Sequence, residues 1–114
     1  MTNLEIRKAA LEATGWYCGK GGWWYGPQGA RCEDVEYLPA VESDPAAFWP
    51  WFLKWCEENE ISFDLDRDHY DDQGMRFCIG LRKRKAIMEV GRASAATIEL
   101  AGCMVVIAAV EGGK

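Results

Sequence analysis

The stretch that most limits what this chain can fold into is "AATIELAGCMVVIAAV", residues 95 to 110, in which Thr97 and Glu99 are the only polar residues. Its length and composition predict a helix that starts near an N-cap at Ser94 and stops at Gly112-Gly113. A helix that is apolar nearly all round cannot leave one face in water. It needs a cover on two sides: its own sheet on one, and something further on the other. A chain of 114 residues is one domain by length, spanning 1–114. A domain of that size has little else to offer, so a second copy of the chain is the expected cover. The sequence therefore predicts a homo-oligomer formed through the C-terminal helix.

The rest of the chain supplies the sheet and its other helices. Thr2 followed by Glu5 is a capping box, Leu4, Ile6, Ala10 and Leu11 form an apolar stripe, and Gly15 is a stop, so a helix is predicted over 3–14. The glycine- and aromatic-rich segment after it reads as two short strands. In "DPAAFWPWFLKWCEENE", Asp44-Pro45 starts a helix, and Pro50 is expected to break it into two short ones across 45–59. Its tryptophans and phenylalanines read as core, because nothing polar there could orient a ligand. "ISFDLD" and "MRFCIGL" alternate apolar and polar residues, and with "AIMEVG" they predict an antiparallel meander. The expected fold class is α+β: an antiparallel sheet of about five strands, sandwiched by an N-terminal helix and a long apolar C-terminal helix.

Several chemistries are argued against by the same residues. Eighteen acidic against 13 basic residues give a net charge of -5, which disfavours a general phosphate-backbone binder. The five cysteines form no CxxC pair, so zinc and redox motifs are not indicated, and scattered thiols fit a reducing cytosol. No apolar run reaches the roughly 20 residues of a membrane span, and the N-terminus lacks a signal-peptide pattern. The expectation is a soluble, cytoplasmic protein. Asp64, Asp66, Asp68, Asp71 and Asp72 resemble a calcium loop, but His69 stands at the required glycine and Met75 at the twelfth position. "GKGG" lacks the phosphate-loop spacing. His69, the single histidine, has no nucleophile motif around it, so no catalytic residue, metal or cofactor is expected.

What remains is a binding site. Arg82 and Arg84 in the "RKRK" turn, Arg92, and Ser94 at the start of the last helix could hold an anion, since guanidinium groups fork onto phosphates. Trp23, Trp24 and Tyr25 could stack on a base. Together these seven residues could clamp a nucleotide.

The pieces "LEATGW", "YLPAVESDPAAFWPWFLKW", the meander and "GRASAATIELAGCMVVIAAV", in this order, resemble the phage αβα-sandwich (ABA sandwich) domain family. By size and layering the chain is also similar to phage anti-defence sponge proteins. That second resemblance implies a non-enzymatic phage protein in the cytoplasm of the host bacterium, sequestering a cyclic or ADP-ribose-type nucleotide of Thoeris or CBASS immunity. The alternatives are an inhibitor that docks on a host protein and a nucleotide-hydrolysing enzyme using His69.

Overall fold

The computed structural model describes residues 2–70, 74–86 and 88–112. Helix α1 spans Asn3–Ala13, with the Thr2–Glu5 capping box formed in both directions and Ile6, Ala10 and Leu11 buried. Gly15, at φ 111°, turns the chain out of the helix. Three two-residue strands follow, β1 (Tyr17–Cys18), β2 (Trp24–Tyr25) and β3 (Arg31–Cys32), paired antiparallel in that order as a small sheet of their own. The expectation of one sheet of about five strands is corrected here: there are two antiparallel sheets of three strands. The physical reason is the glycine-rich turns, which keep the first three strands too short to extend a larger ladder.

Helix α2 runs unbroken from Pro45 to Glu58, with Asp44 capping it and Pro50 inside. The expected break at Pro50 does not occur. A proline at 50 removes the N–H that would donate to the carbonyl of Ala46, and both residues lie on the exposed side of the helix. That carbonyl can turn to water, which makes the missing bond inexpensive. The opposite side of the helix is locked in the core, where Phe48 and Phe52 stack with ring centroids 5.0 Å apart.

The large sheet is β4 (Ile61–Tyr70), β5 (Gly74–Lys83) and β6 (Glu89–Ala95), in that order. Ser94 is a strand residue opposite Cys78, and the backbone of Ala95 is opposite Phe77, so neither belongs to a helix start. The cap is Thr97, whose Oγ1 accepts from the Leu100 amide at 3.2 Å, and α3 spans Ile98–Gly112. Strand pairing wins over helix for residues 91–95 because Gly91, Ala93 and Ala95 alternate on the inner face. Their small side chains let α3 lie close, and a Cβ at Gly91 would sit 3.4 Å from Val105.

Helices α2 and α3 cover that inner face, on which Ile61, Ile79 and Leu81 are buried with Phe52 and Val105. The outer face carries Ser62, Asp64, Asp66, Arg82 and Arg92 to solvent. Helix α1 does not cover the sheet: it packs on α3, in a second cluster with Trp24, Leu38, Val41 and Cys103. The layering is large sheet, then α2 and α3, then α1 with the small sheet. The second cover that the apolar α3 requires is thus α1 of the same chain. No helix among the described residues is long and apolar enough to cross a membrane.

Two contacts hold the layers in place. Arg7 of α1 forks onto Glu42, with Nε–Oε1 at 2.7 Å and Nη2–Oε2 at 3.1 Å, and Glu42 is only 3% exposed. Burial pushes the Glu42 carboxyl up, but the hydrogen bonds from Arg7 prevail and hold it below its ordinary range. A lowered folded value stabilises the protein above the unfolded carboxylate range, near pH 4.3, and that stability is lost as the pH falls through the lowered value. Glu42→Gln should cost about 3 kcal/mol near neutral pH, by leaving Arg7 without its counter-charge. Urea melts at pH 7 and at pH 3 check this: the gap between variant and parent should be wide at the first and narrow at the second. The other contact is a notch in α3, where the ring of Phe48 lies so close to Gly102 that any Cβ there would overlap it. In an open helix Gly102→Ala would gain about 1 kcal/mol. Here overpacking should reverse the sign, with a loss of about 1–3 kcal/mol in thermal melts and partial recovery on adding Phe48→Leu.

Candidate functional site: an aromatic face on the small sheet

In a two-residue strand the side chains must point to opposite faces, and the register decides which of them meet. Tyr17 pairs with Tyr25, and Tyr25 with Arg31, so these three form a row on one face. The tyrosine rings stack at 5.5 Å between centroids with 27° between planes. Tyr17 is 60% exposed. The Arg31 guanidinium lies 5.6 Å from the centre of the Trp23 ring, within cation–π range. Two glycines make the face possible. The Tyr25 ring crosses the backbone at Gly19, where a Cβ would come within 2.5 Å of it, and the Trp16 ring lies directly over Gly26.

Trp16 also borders a cleft of about 80 Å³ between the small sheet and α2, lined by Thr14, Pro27, Trp51, Lys54, Trp55 and Glu58. Trp51 and Trp55 reach it from successive turns of α2. Trp51 Nε1 donates to Thr14 Oγ1 at 2.8 Å, which ties α2 to the end of α1 and positions the indole. Three indoles from two parts of the chain therefore converge at this cleft, and Trp16 lies on the Trp24 side of the small sheet, opposite to the tyrosine row.

The structure divides the residues expected from sequence. Trp23 and Tyr25 belong to this face. Trp24 points the other way, 4% exposed in the α1 cluster with Lys8 Nζ 5.7 Å from its ring centre, so its faces are taken by packing. Arg82, Arg84, Arg92 and Ser94 are on the large sheet or its turn. Arg82 is 3.5 Å from Asp64, Arg84 is 3.0 Å from Glu57, and Arg92 is 3.2 Å from Glu89, so each has an acidic partner. Arg92 also crosses Gly80 and donates to Cys78 Sγ at 3.4 Å. The sheet and α3 stand between that outer face and the cluster that holds Trp24. Two packed layers amount to roughly 20 Å, so the seven residues do not form one clamp.

Tyr17, Arg31 and Trp16 were not singled out in the sequence. The available signal was the repeated Trp-Tyr pair, "WYC" at 16–18 and "WYG" at 24–26, which a hairpin places side by side. Of the acidic cluster, Asp71, Asp72 and the side chains of Asp68 and His69 lie outside the described residues. Among the described residues no group of three or more His, Cys, Asp or Glu is placed to hold a metal ion. Burial pushes the thiol of Cys56 up to about 11 and that of Cys103 to about 12, so both are protonated and unreactive near neutral pH.

Chemically, the face offers flat π surfaces and one guanidinium, and the other side of the small sheet borders a shallow aromatic cleft. That set suits a planar ligand with a negative charge. Comparison with protein-family models, curated proteins and solved structures gives no match.

Proposed function

We propose that the chain is a non-enzymatic nucleotide-binding protein that sequesters a nucleotide second messenger of bacterial immunity, in the manner of a phage anti-defence sponge. The observation that carries this reading is the row Tyr17–Tyr25–Arg31 with the Trp23 ring against Arg31. Stacking a base on an aromatic ring is worth about 1–3 kcal/mol, and it needs no base-specific hydrogen bond. Arg31 supplies the phosphate partner that the sequence reading sought in Arg82, Arg84 and Arg92. The bacteriophage origin and the cytoplasm of the host bacterium as the place of action belong to the same reading, from the resemblance to phage proteins.

A host-protein inhibitor is the second reading, favoured by Tyr37, which is 70% exposed on the surface. Self-association through α3 is part of the leading reading. The strip of α3 left open for it is narrow and includes Met104, at 39% exposure, and Ala108.

Calorimetry with cyclic and ADP-ribose-type nucleotides should give binding at micromolar protein or tighter, with the ligand recovered intact after denaturation. Tyr17→Ala should weaken it about tenfold, the equivalent of one stacking contact of roughly 1.4 kcal/mol. Absence of heat across the panel removes the nucleotide reading, and altered ligand removes the non-enzymatic part of it. Sedimentation at micromolar concentration should show a dimer or larger; a single chain there removes self-association.

A further inference from the structure

We infer that the cleft bordered by Trp16, Trp51 and Trp55 is a slot selective for a guanine base, an inference that rests on the nucleotide reading above. The argument starts from the polar groups at the cleft and what each is already doing. The Thr14 hydroxyl accepts from Trp51 Nε1 at 2.8 Å and donates back to the carbonyls of Leu11 and Ala10, at 3.1 and 3.3 Å. Its single proton is shared between those two carbonyls, so it has no donor left for a ligand, and the Trp51 N–H is engaged in the same bond. Besides the indole N–H groups of Trp16 and Trp55, the side chains available for recognition are the charged pair Lys54 and Glu58.

These two stand one turn apart on α2, with Lys54 Nζ 3.8 Å from Glu58 Oε1. At that separation they form a loose, half-exposed pair, which contributes little to stability and can open onto a ligand at small cost. Together they present an ammonium donor beside a carboxylate acceptor at the rim of a slot walled by indoles. Guanine is the base whose edge has the matching order. Its O6 accepts, and the adjacent N1–H and N2–H both donate, so a carboxylate takes the two N–H groups and the ammonium takes O6. Adenine must turn over, giving Lys54 its N1 and Glu58 one N6–H, one contact fewer than guanine and a weaker acceptor than O6. Uracil satisfies Lys54 with O4 and gives Glu58 one N–H, then sets a carbonyl oxygen against the carboxylate. Hypoxanthine keeps the O6 and N1–H matches and lacks the second donor. The order of affinity should be guanine, then hypoxanthine, then adenine, with uracil last. At about 80 Å³ the cleft admits the edge of a ring system and leaves ribose and phosphates outside.

Calorimetry of the full chain with GMP, IMP, UMP and AMP tests this. GMP should bind about tenfold more tightly than AMP, with IMP between them. Glu58→Gln should weaken GMP more than AMP and close the gap between them, and Lys54→Met should weaken GMP and IMP alike. Glu58 is exposed and its side chain touches only Lys54 in the pair above, so an unchanged melting curve shows that Glu58→Gln keeps the fold. Equal binding of all four bases, or a guanine preference that survives Glu58→Gln, overturns the guanine inference and leaves nucleotide binding standing. Binding of none of the four overturns the guanine slot, and the nucleotide reading falls with it only when the cyclic and ADP-ribose-type panel is silent as well.

Discussion

Everything in this fold depends on helix α3 being covered twice. Its residues Ala101, Val105 and Val106 face the large sheet and α2, while Cys103 faces α1 and the small sheet. Full burial of a single side chain such as Phe48 or Phe52 contributes about 1.5–3 kcal/mol, and both rings need α3 as a wall. Gly102 is where the packing is tightest, since the Phe48 ring occupies the space a side chain would take. A helix in this position leaves only a narrow strip, with Met104 and Ala108, to water, and its composition follows from that.

The same arrangement explains how the surface is divided. The outer face of the large sheet has no helix over it, so it carries charge, and its arginines find carboxylates on neighbouring strands or helices. Among them Arg92 shields Cys78 and Gly80, which are buried beneath it. Those ion pairs make the face close to neutral and leave it poorly suited to gather phosphate. The small sheet has the opposite character. Its strands are too short to bury both faces, so Trp24 enters the α1 cluster while Tyr17, Tyr25 and Arg31 stay outside. An exposed aromatic row held by glycine contacts is costly for solubility, and that is what directs attention to it as a binding surface.

Much of the framework was legible in the sequence for local reasons. The Thr2–Glu5 box, the Asp44 cap, the alternation in β4 and β5 and the stop at Gly15 are near-neighbour effects, decided within one or two turns of chain. Pro50 misled because a proline's cost depends on which side of the helix faces water. Ser94 misled because the choice between strand and helix at 91–95 is settled by β5, which lies far along the chain. The candidate site was half legible for a similar reason. Aromatics and arginines can be counted in a sequence, but the layer to which each belongs cannot.

The sequence by itself determined that most of residues 98 to 110 must be covered on two sides, because a helix so rich in Leu, Ala, Val and Ile cannot turn a whole face to water. Only the tertiary structure decided what encloses them. It chose α1, since the Arg7–Glu42 fork and the apolar face of Ile6, Ala10 and Leu11 bring that helix onto α3. By placing α3 between the two sheets, it also set the arginines on one side of the molecule and the stacked tyrosines on the other. That separation comes from the thickness of packed layers, a quantity that no local pattern encodes.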